Sequence, residues 1–128
     1  MNEIKGRVIQ AGNASGPVMF SDQSLLIYGG IDPATGIVIE HGHPLKGKCV
    51  AGKILVFPEA KGSTVGSYTI LQLKRNGVCP LAIINRACEP IVAAGVIIAR
   101  IPCMDQVDLE SIKNANALEL DDGVIRVR

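Results

Sequence analysis

The 128-residue chain has no tryptophan, and two tyrosines and two phenylalanines bring its aromatic content to only 3%. An interior without rings must be filled by Val, Ile, Leu and Ala, and such β-branched usage favours sheets covered by a few helices. Neither charge sign is in excess. Thirteen basic residues face twelve acidic ones, for a net charge of +1, which excludes a binder that relies on a basic surface to hold nucleic acid. No apolar run approaches the roughly 18 residues needed to cross a bilayer. The opening "MNEIKGRVIQ" lacks the apolar stretch of a secretory signal, so a cytoplasmic protein is expected. Four cysteines are present, Cys49, Cys79, Cys88 and Cys103, with no CxxC pair among them. Their spacings match no usual zinc or iron–sulfur pattern, and free, buried thiols are expected instead of a disulfide framework.

What the chain does have is apolar residues, 48% of the total, enough for the core of one domain spanning residues 1–128. "KGRVIQAG" and "GPVMFS" read as strands, with "NASG" as the turn between them. "GKCVAGKILVFP" reads as a long β segment bent at Gly52. A helix is expected from Gly66 to Asn76, with Lys74 and Arg75 suited to its last turn and Gly77 as its stop. "CPLAIINR" is a fully apolar strand, "CEPIVAAG" a short helix ended by Gly95, and "VIIARIP" another buried strand. "DQVDLESI" suggests one more helical turn or two. "NALELDDGVIRVR" carries the Asp-Gly signature of a two-residue hairpin. The central alternation of strand and helix implies parallel strands with crossovers, flanked by antiparallel pieces. The fold class expected is α/β, a β/β/α sandwich with a mixed sheet.

The stretch "AKGSTVGS", residues 60–67, joins the end of an apolar strand to the start of a helix. There, first-turn N–H groups lack helical partners and attract negative charge. Gly62 and Gly66 allow close approach of backbone to a ligand. Ser63 presents a hydroxyl, with Thr64 beside it, and Lys61 adds a positive charge. A carboxylate, a phosphate or a serine alkoxide would suit such a place. The order Lys61-Gly62-Ser63 is not that of a phosphate-binding P-loop, and Gly62 directly precedes Ser63, unlike a nucleophile elbow. The same residues also suit a plain capped helix start, with Ser63 or Ser67 as N-cap. His41 and His43, two apart, would face one side of a strand; a structural role competes with metal binding, since no third ligand is apparent. Gly29 and Gly30 in "GGIDPATG" open a second close approach to a ligand, or a plain pair of turns.

The combination Gly29-Gly30-x-Asp32-Pro33-x-Thr35-Gly36, His43-Pro44-Leu45-x-Gly47, Gly52-Lys53-Ile54-Leu55 and Pro58-x-x-Lys61-Gly62-Ser63, followed by "CPLAIINRACEPIVAAGVIIARIP", resembles the small-subunit, or swivel-domain, sequence of the aconitase X family from about Gly6 to Asp105. That resemblance implies a swivelling β/β/α domain working with a large catalytic subunit, as a heterodimer or higher assembly, with no nucleic acid or membrane partner. It implies a hydro-lyase that dehydrates a small hydroxy acid: phosphomevalonate, giving an anhydromevalonate phosphate in a modified mevalonate route to isoprenoids, or alternatively a hydroxyproline. Ser63 matches the position of the family's proton acceptor, and Lys61, Gly62, Thr64, Gly29 and Gly30 fall on the substrate side. The implied iron or iron–sulfur cluster belongs to the large subunit, with no metal held by this chain.

A free serine is a weak base. It needs amide N–H groups, positive charge and exclusion of water to act as one. Two other readings stay open: a non-catalytic assembly module whose loop only binds an anion, and a phosphohistidine-type swivelling domain using His41 or His43.

Overall fold

The expected alternation is realised in the central part of the chain, where β5 (Ile54–Val56), α1 (Gly66–Arg75), β7 (Ala82–Ile84), α2 (Pro90–Ala99) and β8 (Cys103–Asp105) follow one another. In the computed structural model, which describes residues 3–62 and 64–128, these three strands run parallel. Each is three residues long and buried throughout, as strands covered on both faces must be. The long β3 (Asn13–Phe20) joins the set at its far end, pairing parallel with β5 through Val18↔Ile54 to Phe20↔Val56. The other half of β3 pairs antiparallel with β9 (Ala117–Asp121), which forms a hairpin with β10 (Val124–Val127). Asp122 and Gly123 both have positive φ, 52° and 94°, as the favoured two-residue hairpin turn requires.

β1 (Glu3–Lys5) pairs with β10, whereas β2 (Arg7–Gln10) pairs with β8. The sheet order is therefore β1-β10-β9-β3-β5-β7-β8-β2, and its two outermost strands are joined by Gly6 alone. Residues 3–10 thus close the sheet on itself. A second, two-stranded sheet pairs β4 (Leu25–Leu26) with β6 (Ala60–Lys61) in parallel.

Period-2 alternation on the central strands separates two cores. Ile54, Val56, Ala82, Ile84 and Met104 point into the closed sheet, where they meet Leu118, Leu120 and Ile125. Leu55, Phe57, Ile83 and Cys103 point the other way, onto Ile70, Leu73, Val92 and Val96 of the helices. Sheet, sheet and helix layers result, the β/β/α arrangement expected. Among the described residues no helix is long and apolar enough to cross a membrane.

Several local expectations are corrected. "NASG" is not a turn: Asn13–Gly16 belong to β3, because the edge of β9 offers them a ladder that local turn propensity does not outweigh. The long β segment before Val56 shrinks to Ile54–Val56, since residues 51–53 form a turn. Gly95 does not end α2, and Val96–Ala99 continue the helix instead of starting a strand. The β-branched run is overruled by packing: α2 lies against α1 so closely that a Cβ at Gly95 would sit 2.9 Å from Ile70 Cδ1 and 3.2 Å from Ser67 Cα. The helix ends at Arg100, in the left-handed conformation. "DQVDLESI" contributes one short 3₁₀ turn, Leu109–Ser111, opened by the Asp108 carboxylate accepting the Glu110 N–H.

Candidate active-site loop and its brace

Beyond β5 the chain leaves the sheet at Phe57, whose N–H donates to Ile84 O at 3.1 Å. It then runs two residues as β6 beside β4, with Leu25↔Ala60 and Leu26↔Lys61 in register. Gly62 follows with φ +104°, where a Cβ would collide with the Leu26 side chain. Only glycine meets both demands at this bend. Ser63 lies outside the described residues. Thr64 and Val65 are exposed, and the Tyr68 and Thr69 N–H groups fold back onto Val65 O to start α1. Val65 occupies the N-cap, so Ser67 is not the cap residue. Ser67 lies inside the first turn because the helix already starts at Gly66.

Gly29 and Gly30 are brought to the same place. Leu26 lies between them and Gly62: a Cβ on Gly30 would strike the Leu26 carbonyl, and one on Gly29 would reach the Leu26 side chain at 4.0 Å. The Gly30 carbonyl accepts the Ile39 and Glu40 N–H groups at 2.8 and 3.2 Å. In the "DPATG" turn behind them the Asp32 carboxylate accepts the Ala34 N–H at 2.9 Å and the Asp32 carbonyl that of Gly36 at 2.7 Å, and Asn76 Nδ2 donates to Pro33 O at 2.8 Å from the end of α1.

Glu40 was not singled out in the sequence, yet it connects these pieces. One carboxylate oxygen accepts the Leu26 N–H at 2.7 Å, and the other meets Lys61 Nζ at 2.7 Å. The Glu40 side chain is 11% exposed and that of Lys61 52%. Burial alone would raise the Glu40 carboxyl; the hydrogen bonds from Lys61 and the Leu26 N–H, with the charge of Lys61, outweigh it and leave it below its ordinary value. Nothing in the sequence reveals Glu40, because its partners come from distant segments.

The two histidines part company, against the expectation of a shared strand face. His41 is exposed; His43 is buried. The segment is a turn braced by its own side chain: His43 Nδ1 accepts the Leu45 N–H at 3.0 Å, which leaves Nε2 to donate to Ser24 O at 3.1 Å. Both ring nitrogens are thereby occupied. All four cysteines are free thiols, with Cys103 buried and the other three partly so. Cys103 and Cys88 share a hydrogen bond that draws the Cys88 thiol down and, with burial, pushes Cys103 up. Beside them the buried Asp105 carboxylate accepts Arg7 Nε at 2.8 Å, Arg7 Nη2 at 2.7 Å and the Cys88 N–H at 2.8 Å. Burial would raise this carboxyl, but Arg7 and the Cys88 amide together hold it below its ordinary value.

Two of the clefts in the structure lie away from the loop. One, of about 520 Å³, is lined by Asp22, Arg86, Asp108, Glu110 and Lys113 among others. Its cations are already engaged, Lys113 with Glu110 at 2.9 Å and Arg86 with Glu59 at 3.5 Å, so it offers no net attraction for an anion. The other, about 660 Å³, runs along the helices past Tyr68, Leu71 and Ile98.

Fold and loop together define a small β/β/α domain with an exposed strand-to-helix connection after Lys61. The chain belongs to the aconitase X swivel-domain family, whose model matches residues 3–127. It is 50% identical over 122 residues to the phosphomevalonate dehydratase small subunit of Methanocella arvoryzae, covering 93% of this chain and 92% of that one. With the protein of the same name from Thermococcus onnurineus it shares 45% identity over 127 residues, 98% of each chain. The crystal structure of Thermococcus kodakaraensis aconitase X in its holo-form superposes with a TM-score of 0.96 at 45% identity, over 100% of this chain and 99% of that one. A solution NMR structure of a UPF0107 protein follows with a TM-score of 0.89 and 39% identity, covering 99% of both.

Proposed function

We propose that this chain is the small subunit of a phosphomevalonate dehydratase, a hydro-lyase active only with its large subunit. The observation that carries this reading is near-full-length similarity to small subunits of that name, reaching 50% identity, in a chain whose Lys61-Gly62-Ser63-Thr64 sequence runs from the last residue of β6 toward the start of α1.

In this proposal Ser63 accepts the proton removed from carbon as water is eliminated. Amide N–H groups at the start of a helix favour negative charge, and so favour the alkoxide that a serine must become to act as a base. Lys61 has three N–H bonds. One serves Glu40, and the half-exposed ammonium leaves others for the substrate phosphate. Gly62 and Thr64, with Gly29 and Gly30 across Leu26, line the substrate side. We assign the iron or iron–sulfur cluster to the large subunit, as the family resemblance implies. This chain's part is confined to the proton and the phosphate. Docking of the large subunit over the loop excludes water and completes the base. The setting is the cytoplasm.

The test is Ser63→Ala, co-expressed with the large subunit. Turnover of (R)-5-phosphomevalonate is expected to fall at least about 100-fold, in the range seen when a general base is removed, while the two chains still co-purify. Near-normal turnover would remove Ser63 from the chemistry. Turnover of a hydroxyproline in preference to phosphomevalonate would reassign the substrate.

A further inference from the structure

We infer that Glu40 is a positioning residue for this reaction. It fixes the stem of the Ser63 loop by joining Lys61, on one side of the loop's entry, to the backbone of Leu26 on the other. The inference rests on the reading of Ser63 as the proton acceptor.

The stem is anchored upstream, where the Pro58 carbonyl accepts the Arg86 and Ala87 N–H groups at 3.0 and 3.1 Å and the Glu59 carbonyl that of Leu25 at 3.2 Å, but its end at Lys61 lies beyond those bonds. The ladder between β4 and β6 is two residues long, and β6 is followed at once by the bend at Gly62. A ladder so short leaves the direction of the next residue loosely set, since a small rotation of Lys61 swings everything beyond it. Glu40 adds a third connection at that point. Its two carboxylate oxygens serve two different segments, each at 2.7 Å. Its own N–H is anchored on Gly30 O, so the brace is fixed at its root as well as its tip. The groups that face it are the Lys61 ammonium, the Leu26 N–H and the buried imidazole of His43. Their arrangement is complementary to a carboxylate: one cation, one aligned amide and no competing acid. A glutamine has one oxygen for the two partners: it either accepts from Leu26 and turns its N–H₂ toward Lys61, or gives Lys61 a neutral oxygen and turns its N–H₂ toward the Leu26 N–H. The charge-assisted half of the brace would be lost.

The chemical consequence falls on rate and not on affinity. A proton acceptor must lie within hydrogen-bond reach of the bond it breaks, and a displacement of about 1 Å can cost on the order of 100-fold. Lys61 keeps its ammonium, and with it a hold on the substrate phosphate, so KM is expected to change less than kcat.

The experiment uses the assembled two-chain enzyme with (R)-5-phosphomevalonate. Glu40→Gln is expected to lower kcat by roughly 10- to 100-fold with KM within about twofold, and the complex should assemble as in the parent. Amide hydrogen exchange supplies a readout independent of turnover. In Glu40→Gln and in Lys61→Met, residues 60–66 are expected to exchange at least about tenfold faster, with α2 and the central strands unchanged. A kcat within about twofold of the parent, or a raised KM at unchanged kcat, would overturn the inference even where Ser63→Ala is inactive. Unchanged exchange in either variant would overturn it too. Should Glu40→Gln fail to fold, exchange in Lys61→Met decides alone. Full turnover by Ser63→Ala would instead defeat the underlying reading, and the positioning role with it.

Discussion

Asp105 is a heavily engaged carboxylate outside the loop. Its side chain is 2% exposed and accepts both ends of the Arg7 guanidinium and the Cys88 amide. Asp105→Ala leaves the Cys88 N–H without its acceptor, while Arg7, more than half exposed, regains water. The expected cost is about 1–3 kcal/mol, measured by denaturant unfolding. The pH dependence has a definite sign. The folded carboxyl lies below its ordinary value of 3.8, so its contribution is fully present above about pH 4 and is lost as pH falls through the depressed folded value. The stability difference between the parent and Asp105→Ala is therefore expected to be constant from pH 5 to 7 and to shrink only under more acid conditions. A difference that grows toward low pH would contradict this account.

Legibility in the sequence divides at this scale by how far apart partners lie. The Lys61-Gly62-Ser63 run stands out because all its chemistry is contiguous, and Gly29 and Gly30 stand out as a pair. Glu40 and Asp105 do not. Glu40 reaches Leu26 fourteen residues back, and Asp105 reaches Arg7 across 98. Such pairings are created by topology, and no local pattern records them. The pairing expected of His41 and His43 fails for the opposite reason: spacing suggested a shared face, but it exists only if the segment is a strand, and a turn braced by His43 replaces it.

Among the elements, the first helix and the hairpin were legible almost residue by residue. Each carries its own punctuation, Gly77 after α1 and Asp122-Gly123 between β9 and β10. The second helix was misjudged because its last turn, Val96-Ile97-Ile98-Ala99, has strand propensity and its glycine resembles a stop. The decisive term is contact with α1. Gly95→Ala tests that balance. Alanine favours an isolated helix by about 1 kcal/mol over glycine. Here its methyl would press on Ile70 and on the Ser67 backbone at 2.9–3.2 Å, and overpacking typically costs about 1–3 kcal/mol. The steric term is expected to win, lowering Tm by a few degrees. A raised Tm would show that the helices separate more easily than their packing indicates. α1 follows the candidate loop directly, so the same contact keeps the loop's far end in place.

For the whole molecule, the three-layer class followed from the order of elements and the aliphatic composition. Closure of the sheet did not, because nothing in "EIKGRVIQ" shows that its two halves serve opposite edges. Removing residues 1–10 would strip β10 and β8 of their outer partners at once and expose two edges able to pair with other molecules. Such a truncation is expected to self-associate by light scattering and to lose its cooperative melt. A monomeric, sharply melting product would mean that the remaining strands hold their shape unaided.

The strand pair that seals the ring has a consequence in time as well as in space. Glu3 lies in register with Arg126, so β1 cannot settle until β10, far later in the chain, has been made. Pairings between residues so remote in sequence are slow to form. During that interval the nascent chain carries two open margins. The growing chain is therefore most vulnerable before Val124–Val127 are made, and a chaperone that shields β1 and β2 until then would serve it most.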